Sequence, residues 1–166
     1  MHLARSFAAA LLALTIGSSV HAAPLTSSIA GEATAAAAAI DPAVQAALAR
    51  INELRRQAGA SPLVLSSQLT AAAQGHADDM AAKRYFSHTS KDGRTVGQRI
   101  SATGYRYSTY GENIAWGYAD WTATIAAWMR SSGHRANLLN ARFKDIGLGA
   151  KNRYYVADFA APRAAR

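Results

Sequence analysis

Cysteine is absent from all 166 residues. That excludes disulfides, thiolate catalysis, cysteine-ligated zinc and a lipid anchor on a cysteine. Long apolar runs are also missing: no stretch approaches the roughly 18 consecutive apolar residues that a transmembrane helix needs. Acidic side chains are scarce, 10 against 18 Lys and Arg. The basic residues are dispersed, with no run interleaved with aromatics, so nucleic acid is not indicated as a partner. No internal repeat is visible, and no His-Glu-x-x-His sequence marks a local metal site.

The amino end carries Arg5, an apolar stretch from Phe7 to Ile16, a Gly17-Ser18-Ser19 break and Val20-His21-Ala22. This is the layout of a secretory signal peptide, and it predicts cleavage after Ala22 and a secreted or periplasmic protein. Residues 23–40 are small and weakly hydrophobic, including five alanines from Ala35 to Ala39. Such a segment buries little apolar area and reads as a linker. Residues 41–161 remain as one domain, long enough to bury a core without covalent staples. Fourteen of the 18 basic residues are Arg. Their planar forks suit phosphates and carboxylates, which makes an anionic envelope component a natural partner.

Within the domain, Asp41-Pro42 reads as an N-cap followed by proline at the first helical position. Val44, Leu48, Ile51, Leu54, Arg55 and Ala58 follow at helical spacing. A second helix starts near Ser66 or Ser67, with His76 read as part of its solvated flank. A third begins near Thr95 and carries Val96, Arg99 and Ile100. A fourth runs from Asp120 to Gly133. Ile146, Leu148 and Ala150 alternate with glycines and turn through Lys151-Asn152 into Tyr154 to Phe159, a hairpin. A third strand is expected over Gly111 to Gly117. The order predicts an α+β fold with about four helices around a small three-stranded antiparallel sheet.

Three stretches carry the chemistry: Phe86-Ser87-His88-Thr89, Tyr110-Gly111-Glu112-Asn113-Ile114-Ala115, and Ser132-Gly133-His134-Arg135-Ala136-Asn137. With Ile51-Asn52-Glu53-Leu54-Arg55, Pro62-Leu63 and Ile146-Gly147-Leu148-Gly149, the ordered set resembles the CAP superfamily, in particular its bacterial branch. The likeness extends over roughly Val44 to Phe159. It implies an α-β-α sandwich with an open cleft marked by two histidines and two glutamates. His88, Glu112 and His134 match three of the four, and the second glutamate falls on Ser131. A chemistry that needs two carboxylates, one as general acid and one as base, therefore loses a partner.

Two neutral imidazoles and a carboxylate make a ligand set for zinc or another divalent metal. The alternative is a hydrogen-bonded His-Glu-His cluster that fixes loop geometry. Tyr105, Tyr107, Tyr110, Trp116, Tyr118 and Trp121 cluster in sequence around Glu112. Ordinary packing beside a small sheet is the first reading, and a lipid- or glycan-binding groove, suited to aromatic bodies with polar tips, is the second. The reading favours a secreted binding module over an enzyme, its cleft taking a lipid-like or other small ligand with or without a divalent metal. The competing reading is a metal-dependent hydrolase acting on peptides or envelope polymers.

Overall fold

The computed structural model describes residues 40–164. The expected leader and most of the Ala-rich linker lie outside the described residues. Five helices and four strands follow in the order α1 (Pro42–Gln57), β1 (Val64–Leu65), α2 (Ser67–Lys83), α3 (Val96–Ala102), β2 (Tyr107–Trp116), α4 (Trp121–Arg130), α5 (Ser132–Leu139), β3 (Asp145–Lys151) and β4 (Tyr154–Pro162).

The helix starts are set by local chemistry. Asp41 accepts from the amide of Ala43, with Pro42 opening the first turn of α1. Ser66 caps α2 through Leu69 N–H, and Thr95 with Gln98 closes a capping box on α3. Asp120 caps α4 through Ala123 N–H.

The expected fourth helix is in fact two. Ser131 adopts an extended conformation (φ −95°, ψ 124°) and interrupts the i to i−4 ladder. Its carbonyl accepts from Arg135 N–H at 2.8 Å, which starts α5 in a new direction. The Ser131 side chain does not cap that helix and is left free.

The sheet also exceeds expectation by one strand and is mixed. Its order is β1-β3-β4-β2. The extra member, β1, lies parallel to β3, with Val64 opposite Asp145 and Leu65 opposite Ile146. Two residues give too short a pattern to signal a strand; β3 supplies the pairing. The β3–β4 turn centres on Asn152 and Arg153, one residue later than expected, both at positive φ. Two positive φ values in succession match the right-handed twist of a tight hairpin.

Alternation along the strands divides the core. Ile146, Leu148, Ala157 and Phe159 face α1, α4 and α5 and pack with Ile51, Ile125, Trp128 and Leu138. On the other face Val156 and Ile114 meet Ala73, Ala77 and Met80 of α2, while Leu69 meets Ile100 of α3. Gly147 and Gly149 point at α2 from the centre of the sheet. A β-carbon on Gly147 would lie 2.0 Å from the Leu69 carbonyl carbon, and one on Gly149 2.3 Å from the Gln74 nitrogen. Helix α2 therefore rests directly on the backbone of β3. The result is an α-β-α sandwich, with β2 at one edge of the sheet.

Candidate functional site

The edge position of β2 creates the cleft. Along it the sheet ends, so side chains from both helical layers can reach round the margin. His88 arrives from the loop after α2, and His134 from the first turns of α5. Both line one open cavity of about 600 Å³, with Ile114, Ala115 and Trp128 among its walls and Ser131 at the α4–α5 junction. All four cleft residues expected from the sequence, His88, Glu112, Ser131 and His134, thus belong to one neighbourhood.

They do not play equal parts. Glu112 is buried, its side chain 1% exposed. Its Oε1 accepts from His88 Nδ1 at 2.6 Å, and its Oε2 accepts from Arg99 Nη2 at 2.5 Å. Both carboxylate oxygens are thereby committed to protein donors. Because a carboxylate only accepts, the proton of a neutral His88 sits on Nδ1 and the Nε2 lone pair is released toward the cleft. The His88 side chain is 54% exposed, so that nitrogen is accessible.

Arg99 is the central residue that the sequence concealed. Buried on α3, it also donates through Nη1 to the His88 carbonyl at 2.9 Å, to Ser90 Oγ at 3.2 Å and to the Arg94 carbonyl at 3.2 Å. One guanidinium thus fixes both the glutamate and the histidine backbone, a fork geometry that lysine cannot reproduce. The one available signal was a charged residue on the apolar face of α3.

His76 is not on a solvated flank. It is 1% exposed, and its Nε2 donates to the Ser87 carbonyl at 2.8 Å, pinning the residue before His88. Burial pulls its pKa below the usual histidine range. The helix 2 periodicity could not reveal this, because the loop that covers His76 comes from a later stretch of chain.

A second carboxylate does stand next to Glu112. Asp158 is its cross-strand partner and is fully buried, with neither oxygen hydrogen-bonded to a donor among the described residues. Burial, reinforced by the charge of Glu112, raises its carboxyl well above the usual aspartate range.

Asn113 points to the opposite face from Glu112. Its Nδ2 donates to the His134 carbonyl at 3.0 Å, and its Oδ1 accepts from Asn137 Nδ2 at 2.9 Å. Asn137 Nδ2 also reaches the Glu112 carbonyl at 3.2 Å. The Gly-Glu-Asn and Gly-His-Arg-Ala-Asn stretches are therefore two halves of one clasp, joining β2 to α5 and placing His134. Desolvation, followed by the nearby His88, lowers the His134 pKa.

The metal question turns on this geometry. Among the described residues, no three His, Cys, Asp or Glu side chains gather closely enough to enclose an ion. Each Glu112 oxygen already accepts from a protein donor. The two imidazoles keep free nitrogens at the same cavity, and a carboxylate behind a ligating histidine is the usual outer-shell arrangement.

The described chain matches the family model "Cysteine-rich secretory protein family" (CAP) over residues 48–159. Among curated proteins it is similar to the uncharacterized membrane protein YlbC of Bacillus subtilis, 34% identical over 108 residues, 65% of this chain and 31% of that one. The uncharacterized protein YkwD of the same organism is 33% identical over 127 residues, 76% of this chain and 49% of the relative. Among solved structures, an extracellular protein containing an SCP domain from Bacillus anthracis superposes with a TM-score of 0.68. It is 34% identical and covers 70% of this chain and 39% of its own. The chain thus spans between about a third and a half of the length of these relatives.

Proposed function

Because the chain belongs to the CAP family of cysteine-rich secretory proteins, we propose that it is an extracytoplasmic binding module whose β2-edge cleft takes a small uncharged or amphipathic ligand. The carrying observation is the pairing of a buried, fully engaged Glu112 with a half-exposed His88, beside His134, in a cavity of about 600 Å³. That volume lies within the roughly 300–1,000 Å³ of ordinary ligand sites. The walls combine apolar surface with a few neutral polar groups, the composition expected of a binding cleft. Extracytoplasmic location rests on the leader-like amino end and on the extracellular description of the Bacillus anthracis relative. No helix among the described residues is long and apolar enough to cross a membrane.

Zinc or another divalent ion would be held by the His88 and His134 imidazoles, with Glu112 orienting His88 rather than ligating. Such an ion would supply open coordination positions to a ligand donor atom. A hydrolase reading draws on the same His88–Glu112 pair, but Ser131 occupies the place of a cleft-lining carboxylate and Asp158 is fully buried beside Glu112. A binding role needs no such second carboxylate.

A thermal shift titration tests the metal part. Zinc at about 100 times its dissociation constant adds about 2.7 kcal/mol to stability, a rise of several degrees for a domain of this size. His88→Ala and His134→Ala each remove most of that rise. An unchanged rise in both variants, or none in the wild type, would exclude the two-imidazole site.

A further inference from the structure

Resting on the cleft reading above, we propose that the ligand is a neutral saccharide whose ring lies against the face of Trp116. Trp116 closes β2 at the cavity mouth and is 60% exposed, unusual for so large an apolar side chain. Its ring is not loose. It stacks on Tyr154, its cross-strand partner, with centroids 5.7 Å apart and planes 27° from parallel. One face is covered, the other is presented, and the orientation is fixed before a ligand arrives, which lowers the entropy lost on binding.

The adjoining rim is held equally firmly. Arg153 donates from Nε to the Tyr118 carbonyl at 3.1 Å, and Gly117 N–H donates to the Arg153 carbonyl at 3.0 Å. Tyr118, held by these bonds, and Phe86 both line the same cavity and are exposed.

Chemistry decides among ligands. A pyranose presents C–H bonds on one face, matched to the negative face of an aromatic ring, and hydroxyls around its edge. The same cavity is lined by hydrogen-bonding groups, the hydroxyls of Ser87 and Ser131 and the imidazoles of His88 and His134. Among the described residues, no Lys, Arg, Asp or Glu lines the cavity. An anionic headgroup or fatty carboxylate finds no permanent countercharge there. Acyl chains call for enclosed apolar space, whereas the aromatics here sit at an open mouth.

The test uses the purified full chain with two probes, a soluble β-1,4-linked N-acetylglucosamine hexamer and dodecanol, each followed by amide chemical shifts and tryptophan emission. Trp128 also lines the cavity, so the emission change assigned to Trp116 is the part that disappears in Trp116→Phe. The hexamer is expected to shift amides of β2 and of the His88 loop. Trp116→Ala, shown folded by circular dichroism, should lose about tenfold in affinity, equivalent to about 1.4 kcal/mol. Trp116→Phe, keeping a stacking face, should retain most of it. Dodecanol shifting the same amides while the hexamer does nothing would overturn the saccharide and leave the cleft reading intact. Silence from both probes would overturn both. Hexamer binding that survives Trp116→Ala undiminished would also end the proposal.

Discussion

Glu112 shows how much one residue can be asked to do. It accepts from an exposed histidine on one side and a buried arginine on the other, with a buried aspartate across the strand. Removing one partner of such a buried pair typically costs about 3–5 kcal/mol, since the other charge is stranded. His76, beneath the same loop, offers a cleaner measurement. Its folded pKa lies below the unfolded value of about 6.5. Between those two values the unfolded chain binds more protons than the folded one, so stability rises with pH and is lost as pH falls below about 6.5. The slope from one histidine is at most about 1.4 kcal/mol per pH unit. Urea unfolding at pH 7.5 and 5.5 should show wild type losing more stability on acidification than His76→Gln. Glu112, Arg99 and Asp79 also act on His76 and are present in both proteins. Parallel losses would refute this assignment.

At the scale of elements, the contact of α2 with β3 is the tightest feature. Only hydrogen atoms occupy the positions where β-carbons at 147 and 149 would overlap helix backbone. Side chains can rotate away from an intruding methyl, but backbone at the centre of a sandwich cannot. Gly147→Ala is therefore expected to destabilise by at least about 3 kcal/mol, the upper end of ordinary overpacking. Gly75→Ala, on α2 with open space around it, is the comparison and should be neutral or slightly stabilising. Denaturant midpoints compare the two, and similar stabilities would mean the layers can separate without cost. The clasp of Asn113 and Asn137 works at the same scale, since it sets where α5 sits relative to β2 and thus where His134 enters the cleft.

For the molecule as a whole, Arg55 is the long-range tie. It is fully buried near the end of α1. It donates to the carbonyls of Ser61 at 2.8 Å, Leu138 at 2.7 Å, Asn140 at 3.1 Å and Phe143 at 3.4 Å. These acceptors come from the loop after α1, from the end of α5 and from the approach to β3. Burial lowers the Arg55 pKa, and among the described residues its acceptors are all carbonyls. Carbonyl dipoles take the counterion's place. Arg55→Met would leave several buried acceptors unmade at about 1–3 kcal/mol each before relaxation, so a loss of about 3–5 kcal/mol is expected. Arg55→Lys should recover only part, because an ammonium cannot span four divergent oxygens. Thermal unfolding of the three proteins checks the order; equal melting temperatures would show that the tie is dispensable.

The sequence by itself determined the features written in neighbouring residues. Asp41-Pro42, Ser66, Thr95 and Asp120 start helices through bonds spanning two or three positions, so the pattern was legible. The alternation of Ile146, Leu148 and Ala150 with glycines gave the hairpin for the same reason. The likeness to a family brought His88, Glu112, Ser131 and His134 together, and the structure places all four around one cleft or directly behind it. What only the tertiary structure decided depends on partners far apart in the chain. β1 is a strand because β3 lies beside it, and one helix became two because Ser131 turned extended. Arg99, on an apolar helix face, and Asp158, within an apolar strand, gain their meaning from Glu112. His76 is buried by a loop, and Trp116 gains its fixed face from Tyr154. Each is a long-range pairing, fixed by the order β1-β3-β4-β2 and the packing of helices on that sheet, which no local periodicity encodes.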